Sequence, residues 1–254
     1  MHDDSSAAPE FSRRFTRTVD LYGGEGFASI RAAAVTVVGL GGVGSHAALA
    51  LARSGIGALH LIDFDAVTES SLNRLTAAGP ADVGLPKVDV VARHLATSCP
   101  DTRTRVSAEF FQADAAARLL APPCDLVIDA IDSLNPKVAL LAYCVHHGLP
   151  VVSSMGAAGR RDVAKVRVDD IADTRGCPLA RRVRRLLRLA GVATGIACVY
   201  SIEPGVGALP PDEEEPQLGP GRVRRHLPSS IALPGIFGYG LASVALDRIA
   251  SGRG

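Results

Sequence analysis

The sequence predicts an α/β fold, a doubly wound Rossmann-like sheet that is mostly parallel. Three observations predict it. A buried-strand run, Ala34 to Val38, leads into the glycine-rich turn Gly39-Leu40-Gly41-Gly42-Val43-Gly44. A helical pattern follows from Ser45 to Ser54, with Ala47, Ala48, Leu51 and Ala52 on one face. A second apolar run, Leu59 to Ile62, ends on Asp63. Strand, glycine turn, helix, strand and acid in that order form the first half of a dinucleotide-type fold.

Each element has a physical reason. Gly39 permits the tight turn, Gly41 and Gly42 let backbone approach a phosphate, and Gly44 lets helix and strand pack closely. N–H groups at the helix start then face an anion. Asp63, at the tip of the second strand, is placed to accept hydrogen bonds from ribose hydroxyls. A turn of this kind serves hydride-transfer enzymes, adenylating enzymes and non-catalytic nucleotide-binding proteins alike.

The residues after Asp63 narrow that choice. Asp65 follows at once, then Ser71-Leu72-Asn73-Arg74, then Lys87 in Gly84-Leu85-Pro86-Lys87. A nicotinamide site does not need this set, whereas a triphosphate does. Arg74 offers a bidentate fork to phosphate and Lys87 a point charge. Asp132, in Ile128-Asp129-Ala130-Ile131-Asp132-Ser133, falls just beyond a further buried strand and is placed to hold Mg²⁺ beside those phosphates. Any one of these residues alone reads as a surface charge. Together, in this order, they favour ATP.

The stretches RRFTRTVDLYG, VVGLGGVGSHAALALARSGIG, LIDFDAV, NR, VGLPKV, VIDAIDSLNPK and GIACVYSIEP resemble the ThiF/MoeB-type, ubiquitin-activating-like adenylating family. Within it they are similar to the tRNA threonylcarbamoyladenosine dehydratase branch. The resemblance covers roughly residues 13 to 205, with DAIDS and CVYSIE the more branch-specific parts. It implies ATP and Mg²⁺ as cofactors and leaves room for a monovalent cation. It implies Arg74, Lys87 and Asp132 as the catalytic set. Gly39, Gly41, Gly42, Gly44, Asp63, Asp65, Ser71 and Asn73 are the expected nucleotide contacts. Arg17 would reach the partner subunit's triphosphate, so a homodimer is expected. Ser71 stands where the family usually has Asn. The implied activity is ATP-dependent cyclisation of threonylcarbamoyladenosine in tRNA through an acyl-adenylate. The alternative is adenylation of the C-terminal glycine of a ubiquitin-like sulfur carrier, and a sulfur-relay protein is a further possible partner. A nicotinamide-dependent oxidoreductase is the reading from another class.

The remaining chain bounds the answer. Its 254 residues suit one α/β domain with a large core, expected over residues 11–254 after a disordered 1–10. The net charge of +1 gives no global basic balance, and 4% aromatic content leaves no stacking platform for bases. The five cysteines form no CxxC pair and no disulfide framework, so reduced thiols and a cytoplasmic location are expected. The absent CxxC pairs also separate the chain from many sulfur-carrier activators. The seven histidines show no metal spacing.

Residues 11–33 read as helical and carry Arg13, Arg14, Arg17 and Arg31. Residues 135–147 read as a helix opened by Asn135-Pro136. Val163 to Val168 alternates like a strand. Met155-Gly156-Ala157-Ala158-Gly159 is a small-residue turn expected to line the second substrate's site. Arg181, Arg184, Arg185 and Arg188 fall on one helical stripe opposite Leu179, Val183, Leu186 and Leu187, a face that suits a tRNA backbone as well as plain solvent. Residues 209–222 are the expected mobile loop, followed by Arg222, Arg224, Arg225 and His226. The uncharged run 227–246 is long enough to raise the question of a membrane. Its prolines, glycines and serines favour a buried C-terminal apolar helix over 234–250, on the domain or at a dimer interface.

Overall fold

The computed structural model describes residues 13–122, 124–207 and 227–252. The expected disordered start, the 209–222 loop and the basic cluster from Arg222 to His226 lie outside the described residues. The chain runs α1 (Thr16–Ala32), β1 (Ala34–Val38), α2 (Gly44–Arg53), β2 (Ala58–Ile62), α3 (Lys87–Ser98), β3 (Arg103–Ser107) and α4 (Ala116–Leu119). It continues through β4 (Leu126–Asp129), α5 (Leu134–His146), β5 (Val151–Ser154), β6 (Val166–Asp170), α6 (Pro178–Leu189), β7 (Ala197–Ser201) and α7 (Ala232–Ala250).

The strands form one seven-stranded sheet in the order β3-β2-β1-β4-β5-β7-β6. Every pairing is parallel except β6 with β7, which is antiparallel. Alternation along the strands builds two cores. Val35, Val37, Leu59, Leu61, Leu126 and Ile128 join one apolar cluster with residues of α2, α3 and α7. Val38, Ile62 and Val127 join a second with residues of α4, α5 and α6. A sheet covered on both faces explains why β1 is apolar and buried along almost its whole length.

The uncharged C-terminal run is α7, which starts two residues earlier than the expected 234. It packs on α2 of its own chain. A β-carbon at Gly238 would lie 2.5 Å from the Val43 carbonyl oxygen and 2.9 Å from the Ala47 nitrogen, so only glycine allows this approach. No helix among the described residues is long and apolar enough to cross a membrane.

Two boundaries differ from expectation. The strand expected over 163–168 begins at Val166, because Val163–Lys165 forms a 3-10 turn. The Asp162 carboxylate caps that turn by accepting from the Ala164 N–H at 3.0 Å. Pairing with β7 then sets the strand, from Val166 opposite Ser201 to Asp170 opposite Ala197. Helix α5 starts at Leu134 with Ser133 as its N-cap, so Pro136 sits at its third position.

At the outer part of the sheet His60 is buried between β2 and β3. Its Nε2 lies 2.9 Å from Ser107 Oγ, and its Nδ1 accepts from Arg105 Nη2 at 2.9 Å. The ring is therefore neutral, with Nε2–H donating. Burial first, and the Arg105 charge second, push its pKa down to about 4. The unfolded chain, titrating near ~6.5, binds the proton that the folded chain refuses. The resulting stability is complete above pH ~6.5 and is lost as pH falls toward ~4. In urea titrations across that window, His60→Gln is expected to decline less steeply than the unsubstituted protein. Parallel declines would show that His60 contributes nothing to the acid sensitivity.

Candidate active site

The strand order reverses between β1 and β4: the chain leaves β1 for β2 and β3 on one side, and β4 begins the other side. Ligands of doubly wound sheets bind beyond the carboxyl ends of the strands at such a switch point. Gly39 follows β1, Asp63 follows β2, Asp132 follows β4, and Met155–Gly159 follows β5. The sequence-derived site segments thus share one end of the sheet.

The glycine turn is tightly fitted. Gly39 has φ 92°, and a β-carbon there would sit 2.8 Å from the Ala130 carbonyl oxygen. A β-carbon at Gly44 would lie 1.8 Å from the Gly39 carbonyl oxygen, so helix and turn cannot meet with any other residue. A β-carbon at Gly41, by contrast, would meet nothing within 4 Å, so the turn is open there. Asp63 locks the turn to β2. Its carboxylate accepts from the Leu40 N–H at 2.5 Å and from the Asp65 N–H at 2.8 Å. Burial raises its pKa, with the Lys87 charge opposing. Each oxygen keeps acceptor capacity for a further donor. Behind the turn, buried His46 lies with Nδ1 2.6 Å from the Gly42 carbonyl oxygen, which fixes Nδ1–H as the donor.

Arg74 meets the turn directly. A β-carbon at Gly42 would lie 3.0 to 3.2 Å from the Arg74 side-chain carbons, so the arginine stem runs across the glycine. Its Nη1 donates to the Ser70 carbonyl at 2.8 Å and to Asn73 Oδ1 at 2.9 Å. Asn73 is exposed, and its amide donates to the Ser229 carbonyl at 3.1 Å, tying this loop to the start of the C-terminal segment. Lys87 pairs with Asp65 at 3.0 Å, both side chains being largely covered. Asp132 is exposed and accepts from the Ser133 hydroxyl at 3.1 Å.

Ser71 is engaged within its own loop. Its side chain is buried, donates to the Thr68 carbonyl at 2.6 Å and accepts from the Thr68 N–H at 3.0 Å. The hydroxyl closes its own turn. Arg17 is exposed on α1, without a hydrogen bond or ion pair among the described residues. Among those residues no three His, Cys, Asp or Glu side chains are grouped to hold a metal. A lone exposed carboxylate such as Asp132 fits Mg²⁺ nonetheless, since that ion takes most of its ligands from phosphates and water.

Sequence reasoning missed a buried network under this end of the sheet. Lys137 and Asp129 are fully buried, 2.5 Å apart. The Lys137 ammonium also donates to the Ser154 carbonyl at 2.8 Å, and the Ser153 hydroxyl donates to Asp129 at 2.6 Å. The second Asp129 oxygen accepts from the Ile131 N–H at 3.1 Å. The ends of β4 and β5, from which the Asp132 and Met155–Gly159 segments leave, are thereby fastened together. The available signal was Lys137 in register with Leu140, Leu141 and Cys144, the buried face of α5.

The basic stripe of α6 is also modified. Arg181, Arg182, Arg185 and Arg188 are exposed. Arg184 turns inward, donating to the Thr174 carbonyl at 2.7 Å and its hydroxyl at 2.6 Å. The start of α6 abuts the β5 turn: a β-carbon at Gly156 would be 3.7 Å from Cys177 Sγ and 3.8 Å from Leu179 Cβ. Cys198 is wholly buried in β7, and burial raises its thiol pKa, as suits an inert core residue.

Fold and glycine turn together define the class, an α/β protein of the doubly wound, nucleotide-binding type. The ThiF family model matches residues 13–236, and the chain belongs to that family. It is 41% identical over 198 residues to the tRNA threonylcarbamoyladenosine dehydratase of Escherichia coli K12, spanning 75% of this chain and 74% of that protein. It is 38% identical over 231 residues to tRNA threonylcarbamoyladenosine dehydratase 2 of Saccharomyces cerevisiae, covering 85% of this chain but only 51% of the yeast protein. The crystal structure of the E. coli dehydratase in complex with ATP superposes with a TM-score of 0.82 at 35% identity, covering 94% of each chain.

Proposed function

We propose that this chain is an ATP-dependent tRNA threonylcarbamoyladenosine dehydratase. The observation that carries the proposal is the Arg74 stem lying across Gly42, which sets an arginine against the glycine turn at the switch point. Identity to two dehydratases, one of them solved with ATP, supports the choice of substrate.

The chemistry needs alignment and charge neutralisation more than covalent machinery. Asp63 holds the ribose, and the turn from Gly39 to Gly44 presents backbone N–H groups to the phosphates. The substrate carboxylate attacks the α-phosphorus, and the bond from that phosphorus to the bridging oxygen of pyrophosphate breaks. A nitrogen of the urea group then attacks the acyl carbonyl of the adenylate. The acyl–oxygen bond breaks, AMP leaves, and the nitrogen gives its proton to solvent as the five-membered ring closes. Arg74 and Lys87 stabilise charge on the phosphates and on departing pyrophosphate. Lys87 is held in place meanwhile by Asp65. Asp132 would hold Mg²⁺, which would supply further neutralisation of phosphate charge. We place Arg17 at the partner's site in a homodimer. AMP and pyrophosphate release is expected only when tRNA carries threonylcarbamoyladenosine. Release that instead requires a protein ending in Gly-Gly would reassign the chain to sulfur-carrier activation.

The exposed arginines of α6 are assigned to the tRNA backbone. Arg181, Arg185 and Arg188 share one helical face that begins beside the β5 turn. Like charges at this spacing oppose one another within a helix and gain from an anionic partner. Replacing all three by alanine is expected to reduce the slope of log affinity for tRNA against log salt by about 2 to 3, with ATP affinity unchanged. An unaltered slope would remove α6 from the interface.

A further inference from the structure

We infer that Arg160 is the carboxylate-recognition residue of this site, receiving the substrate's carboxylate and holding it beside the nucleotide. The inference rests on the adenylating function proposed above. Arg160 is 8% exposed. Its Nε donates to the Glu203 carbonyl at 2.9 Å, and its Nη1 donates to the Gly156 carbonyl. A guanidinium has five N–H donors in a planar fork, so most of the fork remains available after these two bonds. Among the described residues no carboxylate forms an ion pair with it. The nearby acid makes its hydrogen bonds to backbone: one Glu203 carboxylate oxygen accepts from the Arg161 N–H at 2.9 Å and the Asp162 N–H at 2.8 Å, and its charge reaches Arg160 only through space. A covered guanidinium whose hydrogen bonds go only to carbonyl oxygens keeps donors for a directly bound anion.

The placement suits the carboxylate of a second substrate. Gly156 belongs to the turn after β5, the strand beside β4, whose carboxyl end leads to Asp132. The glycine turn and Asp63 occupy the β1 and β2 side, which leaves the β5 side for the group that meets the α-phosphate. The frame is firm. The Gly159 N–H donates to the Pro228 carbonyl at 2.7 Å, and the Val206 N–H donates to the Gly159 carbonyl at 2.8 Å. A β-carbon at Gly156 would come within 3.2 Å of Arg160 Nη1, so the turn is shaped around the guanidinium. A planar fork matches a carboxylate in two parallel bonds, which a lysine cannot reproduce. The site would therefore prefer an acid over its ester, whatever the rest of the substrate.

The test compares two anticodon stem-loop RNAs, one carrying threonylcarbamoyladenosine and one carrying its methyl ester, each titrated with a non-hydrolysable ATP analogue present. The unsubstituted protein is expected to prefer the acid by about 30-fold or more, the loss typical when a buried charge pair loses one partner. Arg160→Gln is expected to bind acid and ester equally, with ATP affinity retained, and Arg160→Lys to fall between. If Arg160→Gln fails to fold, the Arg160→Lys comparison decides, because it keeps the charge and removes the fork. A normal preference for the acid in the folded variant overturns the inference. An unsubstituted protein that ignores the modification altogether overturns the proposed function itself.

Discussion

Arg74→Ala and Lys87→Ala are each expected to lower ATP-dependent pyrophosphate exchange by about 10²- to 10³-fold, the range seen when one preorganised donor to a developing charge is removed. The folds should survive. Arg74 donates within its own loop to Ser70 and Asn73, and it belongs to neither apolar cluster. Lys87 forms its ion pair with Asp65, outside both apolar clusters. Circular dichroism and thermal unfolding provide the control. Asp65→Asn offers a further contrast, since it frees Lys87 from its partner without removing the cation. Full exchange activity in both alanine variants would remove the phosphate site from this end of the sheet.

The largest effect on stability is expected at Lys137. Lys137→Met strands a fully buried Asp129 carboxylate and should cost about 3 to 5 kcal/mol. Combining it with Asp129→Leu removes both charges, and apolar replacement of a buried pair is often neutral. The double variant should therefore recover most of the lost stability. Its exchange activity should stay depressed, because the ends of β4 and β5 are no longer fastened through Ser153 and Ser154. Urea unfolding of the two variants measures the first expectation and pyrophosphate exchange the second. Full recovery of activity along with stability would make the network a fold device only.

The contrast between these two regions shows what a chain reveals about itself. The β1–turn–α2–β2 unit was legible because its constraints are local and leave residue-type marks. A positive φ and a 1.8 Å approach demand glycine at 39 and 44, and the acid at 63 closes the same unit. Arg74 and Lys87 were singled out by order alone, and the Asp65 partner of Lys87 was not legible. Ser71 was matched to a family position, and its contact with Thr68, three residues earlier, was not legible. Lys137 stayed hidden because a lysine is read as surface unless its apolar neighbours on the helix face are weighed. Arg160 depends on Glu203, 43 residues away, and no local pattern announces such a partner. The β6 boundary shifted because alternation continued through a turn, and pairing with β7 decided where the strand begins.

The most direct measurement is mass spectrometry of nucleosides from tRNA carrying threonylcarbamoyladenosine after incubation with the protein, ATP and Mg²⁺. The predicted result is conversion of the modified nucleoside to a species lighter by one water, about 18 Da by chemical formula, with AMP and pyrophosphate released alongside. An unchanged nucleoside, in a preparation that binds ATP and the tRNA, would contradict the dehydratase assignment.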